Sequence, residues 1–223
     1  MSRWLVGRRV GDAATLHAFE PPEQPRPTLV VAAVERGAIV LGSTQAVEAV
    51  DGDRAAELGL DVVRRRSGGS SVALAPGAQL WVDVWIPAGD PLWNDDVAAA
   101  AVPIGEAWAR ALGRIGWADL TVHAGGAEPG PWSELVCFAG RGPGEVFTAT
   151  GRKLVGVSQR RTRDWIRLQC MVHRYWDAEL ALAPLALSDD ERRAARDGLA
   201  GLVASIGDAD EDHLVAALAD ALL

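Results

Sequence analysis

Apolar residues recur along the chain with two periods, and each period predicts a different kind of element. Residues 80–87 form a nearly continuous apolar run that is typical of a β-strand. Thr28–Val34 and Ala38–Leu41 are rich in β-branched residues, and a three-residue turn at residues 35–37 predicts that they form a hairpin. Over residues 95–112 the apolar positions instead follow helical spacing, which predicts one long central helix.

Four further short apolar segments are predicted to be strands: residues 60–63, 118–123, 135–138 and 167–172. The residues between the last two of these strands are predicted to form a β-hairpin that carries Lys153. Ser188 precedes three acidic residues and is a good helix N-cap, so residues 188–223 are predicted to form two terminal helices. Many short strands with one central and two terminal helices indicate an α+β fold, and residues 1–223 suit a single domain.

The composition argues against several classes of protein. Hydrophobic residues make up 49% of the chain, which is ample for a sizeable core. The first residues contain no apolar stretch typical of a signal peptide, and no apolar run approaches the roughly 20 residues of a membrane span. Two cysteines, Cys137 and Cys170, are too few for a disulfide framework. We therefore expect a cytoplasmic protein without membrane contact, and the net charge of −8 argues against nucleic acid as the main partner.

Basic residues are concentrated in two segments. Residues 64–66 and 152–163 together hold eight of the 22 lysines and arginines. The first segment is followed by a glycine- and serine-rich loop at residues 67–71. Main-chain N–H groups of glycines can approach an anion closely, and neighbouring arginines neutralise its charge. The pattern favours a local site for a carboxylate or phosphate, with an ordinary turn and a solvated arginine surface as the alternatives.

Read together, the two basic segments resemble the signature of the lipoate–protein ligase and octanoyltransferase family. Members carry Arg-Arg-x-Ser/Thr-Gly-Gly, matched by residues 64–69, and later Gly-Arg/Lys-Lys-Ile/Leu-x-Gly-Ser/Ile-Ala/Ser-Gln, matched closely by residues 151–159. Residues 39–45 look like a third family element, a hydrophobic-Gly-x-x-Gln strand end. The resemblance spans residues 39–159 and implies a mixed β-sheet with packed helices, the biotin/lipoate ligase-like catalytic fold.

The resemblance also implies roles for individual residues. Lys153 matches the catalytic lysine, which hydrogen-bonds the acyl carbonyl and any adenylate phosphate. Arg65 is expected to contact the acyl carboxylate or the adenylate, assisted by main-chain N–H groups of the loop. The remaining residues predicted to bind substrate are Ser67, Gly68, Gly69, Ser70, Ser71 and Gly156. The chain departs from the family at Ser70-Ser71, where ligases usually have Gly-Ala, and at residues 74–75, where they often have His-Asp.

The family attaches an eight-carbon acyl group to a lysine of a lipoyl carrier domain. The favoured hypothesis is a ligase that activates lipoate or octanoate with ATP and Mg²⁺ through an acyl-adenylate. The implied acceptor is the E2 subunit of a 2-oxoacid dehydrogenase or the glycine-cleavage H protein. Nothing in the spacing of the four histidines suggests a tightly bound metal.

Cys137 supports an alternative within the family. Residues 135–138 resemble the Cys-Phe element of cysteine-dependent octanoyltransferases, in which this cysteine is the nucleophile and an acyl carrier protein is the donor. Its apolar neighbours are equally those of a buried, inert thiol. Cys170 lies in an apolar run and is predicted to be a core residue. A third hypothesis is a non-catalytic relative that binds acyl groups or has a regulatory role.

Overall fold

The computed structural model describes residues 3–20 and 25–222, and within these ranges the chain forms two β-sheets and six α-helices. The strands are β1 (Leu5–Gly11), β2 (Thr28–Val34), β3 (Ala38–Leu41), β4 (Asp61–Arg64), β5 (Val72–Leu74), β6 (Gln79–Pro87), β7 (Thr121–Val122), β8 (Val146–Phe147), β9 (Lys153–Arg161) and β10 (Trp165–His173). The helices are α1 (Ala13–Ala18), α2 (Gly52–Glu57), α3 (Val97–Arg114), α4 (Ala178–Leu182), α5 (Asp189–Leu199) and α6 (Glu211–Ala221). None of these helices is long and apolar enough to cross a membrane.

The main sheet contains seven strands in the order β1-β2-β6-β10-β9-β8-β7. β1 runs parallel to β2, and the other neighbouring strands are antiparallel. In this register Cys170 of β10 lies opposite Val82 of β6 and Val157 of β9. A small sheet has the order β4-β3-β5, with β3 parallel to β4 and antiparallel to β5. This mixture of sheets and helices confirms the predicted α+β class.

The main sheet is covered on both faces, which explains why all nine residues of β6 are buried. One face packs against α3 and α6 in a core that includes Val82, Leu168 and Trp108. The opposite face carries Trp81 and Met171 and packs against the small sheet, α4 and α5 in a second core. Successive side chains of a strand point to opposite faces, so residues 81 and 82 belong to different cores. The second core, between the two sheets, positions the site described below.

The structure confirms the predicted central and terminal helices. α3 begins after Asp96, whose carboxylate accepts a hydrogen bond from the Ala99 N–H at 2.8 Å, and Pro103 lies inside the helix. α5 begins after Ser188, which forms a capping box with Glu191. Capping satisfies N–H groups that have no partner within the helix, which is why these starts can be located from local sequence.

Two predictions about strands are wrong. Thr28–Val34 and Ala38–Leu41 are strands, but they do not form a hairpin, because the first lies in the main sheet and the second in the small sheet. The segment at residues 135–138 makes one bridge to Ser71 and then becomes a turn of 3-10 helix at Cys137–Ala139. The cysteine therefore stands at the start of a helical turn and not within a sheet.

Candidate active site

The loop between β4 and β5 is held in place by Arg65. This side chain is buried, and its guanidinium donates hydrogen bonds of 2.8–3.3 Å to the main-chain carbonyls of Gly68, Ser70 and Val40. Two of the four bonds go to Gly68. Because these donors are engaged with backbone, the geometry favours a positioning role for Arg65 over the predicted contact with an acyl carboxylate.

Serine hydroxyls tie the loop to its neighbours. Ser67 Oγ donates to Gln169 Oε1 on β10 at 2.7 Å. Ser71 Oγ donates to the Leu135 carbonyl, and the Ser71 carbonyl accepts a hydrogen bond of 2.9 Å from the Cys137 N–H. The hydroxyl of Ser71, one of the departures from the family pattern, thus connects the loop to the turn that carries Cys137.

A close crossing of two backbone segments fixes the loop further. A Cβ built on Gly42 would stand 1.6 Å from the Gly69 carbonyl oxygen, so no side chain fits at this position. Gly69 has a φ of +91°, which glycine adopts without strain. A Cβ on Gly69 would lie 2.9 Å from Cys137 Sγ. These glycines therefore allow the loop to lie against the thiol.

A narrow apolar cavity of about 50 Å³ lies between the two sheets. Its walls include Val40, Leu74, Trp81, Phe138 and Met171. Gly156 is also part of the wall, and a Cβ there would lie 2.8 Å from the Phe138 ring. An apolar lining suits an aliphatic chain. Small-molecule sites usually measure roughly 300–1,000 Å³, so an acyl chain can enter only if side chains of this cavity move.

A larger cleft of about 580 Å³ opens beside the apolar cavity, and we call it the polar cleft because charged side chains are part of its lining. The Ser/Gly loop, the start of α3 and β9 all contribute to its walls. The charged residues in its described lining are Glu128, Arg141, Glu145 and Lys153. These are two acids and two bases, so the lining carries no net charge when all four are ionised.

Three residues, Cys137, Val157 and Ser158, line both cavities, and we call this position the junction. Cys137 is half-buried there. Its sulfur lies 3.9 Å from a terminal nitrogen of Arg65. A chain held in the apolar cavity would therefore reach the polar cleft beside this sulfur.

Lys153 opens β9 with a side chain that is only 2% exposed. Its ammonium pairs with the Glu145 carboxylate at 2.6 Å and donates to the Cys137 carbonyl at 3.0 Å. Burial raises the pKa of Glu145 above its usual range, and the Lys153 charge opposes that rise. An ammonium has three N–H groups. These two contacts within the described residues leave one N–H for a group in the cleft that Lys153 lines.

The structure brings most of the predicted site together. Cys137, Lys153, Gly156 and the loop residues Gly68, Gly69 and Ser70 line the two cavities, and the buried Arg65 also lines the apolar cavity. Ser67 and Ser71 hold the loop in place through their hydroxyls. Their chemical roles stay predictions. Glu145 could not be predicted from the sequence, because a single acid in a Gly/Pro-rich segment carries no motif. The one available signal was Lys153 itself, since a buried lysine needs a counter-charge.

The second cysteine and a buried histidine lie in the cores. Cys170 is fully buried, and burial raises its pKa to about 12, which suits the predicted core thiol. His173 packs 4.5 Å from the Phe138 ring and 4.8 Å from the Trp176 ring, and burial lowers its pKa to about 4. Across the part of the chain that the structure describes, no three His, Cys, Asp or Glu side chains are grouped as a metal site.

The sequence matches the family model of the lipoyl protein ligase A/B catalytic domain over residues 14–223. This match includes nearly the whole chain, and the chain therefore belongs to that family. The match also confirms the resemblance that the two basic segments indicate. No curated protein matches the sequence.

Solved structures show the same fold at low identity. One is a structure of a bipartite lipoate protein ligase and its E2 lipoyl domain from Thermoplasma acidophilum, with 19% identity, a TM-score of 0.70, and 99% of this chain and 81% of that chain covered. A putative lipoate protein ligase from the same organism, with bound lipoic acid, has 17% identity and a TM-score of 0.57, covering 98% and 93%. Lipoate-protein ligase A bound with ATP has 17% identity and a TM-score of 0.56, covering 99% and 94%.

Proposed function

We propose that this protein attaches a lipoyl or octanoyl group to a lysine of a lipoyl carrier domain, and that Cys137 carries the acyl group between donor and acceptor. The position of the Cys137 sulfur at the junction carries the proposal. An aliphatic chain in the apolar cavity would present its carbonyl carbon there. Family membership supports the acyl group. The Thermoplasma relative with its E2 lipoyl domain supports a carrier domain as acceptor.

Hydrogen-bond donors around the junction can stabilise the negative charge that develops during acyl transfer. The carbonyl oxygen becomes negative in the tetrahedral transition state, and fixed N–H donors stabilise it. Lys153 has one N–H without a partner among the described residues. The main-chain N–H groups of Gly68, Gly69 and Ser70 also lack partners there, and all three residues line the cleft. The Arg65 guanidinium lies close enough to stabilise negative charge on the sulfur when it attacks or departs.

Transfer then takes two steps, each of which exchanges one bond at the acyl carbon. First, the Cys137 sulfur bonds to the carbonyl carbon of a thioester donor, the donor's carbon–sulfur bond breaks, and the thiol proton passes to the departing donor sulfur. Second, the carrier lysine amine attacks the Cys137 thioester and forms the amide, while Cys137 departs and regains a proton from the amine. Neither step consumes ATP, because the thioester is already activated.

ATP-dependent ligation is the second candidate function. The polar cleft has room for a nucleotide, and a structure with the same fold is bound with ATP. ATP and Mg²⁺ would convert lipoate or octanoate into an acyl-adenylate with release of pyrophosphate, and the carrier amine would then displace AMP. The charge of the cleft disfavours this route, because its lining has no net positive charge to attract a triphosphate.

The arginines beside the loop do not make the polar cleft more attractive to a triphosphate. Arg64 and Arg65 donate to main-chain carbonyls. Arg66 forms an ion pair with Glu20. The basic segment predicted to bind an anion is thus largely engaged with the protein itself, which is the second reason for placing transfer through Cys137 first.

Two parallel reactions distinguish acyl transfer through Cys137 from ATP-dependent ligation. In each reaction the intact masses of the enzyme and of a lipoyl carrier domain are measured. One reaction contains octanoyl-acyl carrier protein without ATP, and the other contains lipoic acid with ATP and Mg²⁺. We expect an octanoyl adduct on the enzyme and an acylated carrier domain in the first reaction. Cys137→Ser should abolish both products, whereas Cys170→Ala, a matched change at the buried cysteine, should retain both.

Other results would select another function. An acylated carrier domain only with ATP, unaffected by Cys137→Ser, would establish ligation and make Cys137 structural. Binding of lipoate with no acylated carrier in either reaction would identify a non-catalytic relative. In both cases the proposed thioester on Cys137 would be refuted.

A further inference from the structure

His17 of α1 forms part of the wall of two cavities. It lines the apolar cavity between the sheets, where its ring packs against Trp81 with 4.5 Å between the ring centroids. It also lines a groove of about 270 Å³ between α1 and β4, together with Ala14, Ala18, Val62, Val63, Arg64 and Arg66. His17 alone belongs to the described lining of both, so it stands between the apolar cavity and the groove.

Trp81 and His17 lie at the end of the apolar cavity that is remote from the junction. Gly156, Met171 and Trp81 are aligned across β9, β10 and β6, and all three line the cavity. Neighbouring strands are about 4.8 Å apart, so Trp81 lies roughly 10 Å across the sheet from β9, which carries two junction residues. An extended chain advances roughly 1.2 Å per bond, so the seven bonds of an eight-carbon acyl group span about 8 Å. Such a chain, with its carbonyl at the junction, would end beside the Trp81 and His17 rings.

Hydrogen bonds hold His17 in place, whereas other walls of the cavity can adapt. Its Nδ1 lies 3.0 Å from Gln169 Nε2, and its carbonyl accepts a hydrogen bond of 2.8 Å from Arg167, which pairs with the buried Asp83. Burial lowers the pKa of His17 to about 3, so the ring beside the cavity is uncharged. Met171 has an unbranched, flexible side chain of the kind that adapts to its neighbours. A chain that enters the narrow cavity would therefore displace walls such as Met171 before it displaces the His17 ring.

We infer that the His17 ring closes the far end of the acyl-binding cavity and thereby sets the longest chain that the protein accepts. Without the imidazole, the cavity would open into the groove between α1 and β4. Apolar side chains of the groove, among them Ala18 and Val63, would then receive further methylene groups. This inference rests on the proposed function, because it requires an acyl chain in the apolar cavity. It assigns the selection of chain length to a residue outside the Ser/Gly loop, the cysteine turn and β9.

Thioester donors of increasing chain length test this assignment. Hexanoyl, octanoyl, decanoyl and dodecanoyl thioesters of N-acetylcysteamine are each mixed with enzyme in the absence of carrier domain, and formation of the Cys137 adduct is followed by intact mass. We expect the wild-type enzyme to form the decanoyl adduct about tenfold more slowly than the octanoyl adduct, since two methylene groups find no place in the cavity. His17→Ala should remove this difference. His17→Ser, whose hydroxyl offers Gln169 a polar partner, should do the same and provides the test if the alanine variant does not fold.

The matched control is Leu16→Ala, which truncates a buried residue of the same helix that is not part of the described lining of either cavity. It should lower the melting temperature and keep the wild-type decline beyond eight carbons. An equal gain of longer chains in Leu16→Ala would overturn the inference, since a loosened α1 and not the His17 ring would then admit them. Equal octanoyl and decanoyl rates in the wild type, or an unchanged decline in the His17 variants, would overturn it while leaving the proposed function in place. Wild-type enzyme that forms no octanoyl adduct would refute the proposed function, and this inference with it.

Discussion

Replacing Lys153 by methionine is expected to destabilise the protein to a degree that depends on pH. The lysine is fully buried and pairs with the buried Glu145 at 2.6 Å. Methionine has a similar shape but leaves the carboxylate without a counter-charge. Removing one partner of a buried ion pair typically costs about 3–5 kcal/mol. Glu145 can lessen that cost by taking up a proton, and this is the source of the pH dependence.

The direction in which the stability of this variant changes with pH follows from the direction of the Glu145 pKa shift. Burial raises the pKa of Glu145, and Lys153 opposes the rise, so its pKa rises further when Lys153 is removed. In the unfolded chain a glutamate titrates near about 4.3. The extra stability of the protonated form is present below that pH and is lost as pH rises toward the folded-state pKa, by about 1.4 kcal/mol per pH unit. We expect a loss of about 1 kcal/mol at pH 5 and about 4 kcal/mol at pH 7.

Urea unfolding followed by tryptophan fluorescence between pH 5 and 8 measures these free energies. The control combines Lys153→Met with Glu145→Gln, which removes the charge and keeps the shape. This double variant should return to within about 1 kcal/mol of the wild-type stability at pH 7, because no unpaired charge stays buried. Neither variant should transfer acyl groups, so the double variant should regain stability without regaining activity. A loss that is constant from pH 5 to 8, or no recovery in the double variant, would refute this account.

Two further predictions concern the aromatic wall of the apolar cavity. Burial lowers the pKa of His173 to about 4, so stability should fall as pH drops from about 6.5 toward 4, where the unfolded chain binds its proton first. His173→Phe should flatten this decline in urea titrations at pH 4.5 and 7, and an unchanged decline would contradict the prediction. Gly156→Ala should displace the Phe138 ring, because its Cβ would meet that ring at 2.8 Å. It should therefore slow octanoyl transfer more than butanoyl transfer, and equal slowing would show that the cavity does not hold the chain.

The helices could be located from the sequence because their signals are local. Asp96 and Ser188 each accept a hydrogen bond from the first turn that follows, and that need exists wherever the helix packs. Gly59, two residues after the end of α2, has a φ of +66°, which few other residues adopt easily. Each of these features depends on neighbours within four residues.

Strand pairing could not be predicted in the same way. A short turn between two β-branched segments usually produces a hairpin, but β2 and β3 are both buried along nearly their whole length. Each strand therefore needs partners and cover on both faces, and these come from distant parts of the chain. β2 pairs with β1 and β6, and β3 pairs with β4 and β5. The turn alone carries no information about those partners.

In the candidate site too, the sequence predicts where the charged residues lie but not which groups they contact. The motifs identified Arg65 and Lys153, and the charge of each suggested a bound anion. For Arg65 the geometry favours a positioning role, because main-chain carbonyls accept hydrogen bonds from its guanidinium. For Lys153 the nearest anion is Glu145, which no motif identifies. A sequence pattern can thus locate a charged side chain, while the fold determines which of its donors stay free.

The loop, the cysteine turn and β9 form one connected unit, which bears on how the proposed chemistry is controlled. The Cys137 N–H donates to the Ser71 carbonyl, and the Cys137 carbonyl accepts from Lys153. The turn with the thiol is therefore held on one side by the loop and on the other by the strand that carries the lysine. A nucleophile fixed in this way is in place before a donor arrives, which reduces the entropy lost on reaching the transition state. Lys153 thereby has two functions in the proposal, since it positions the thiol through the main chain and donates to the acyl oxygen.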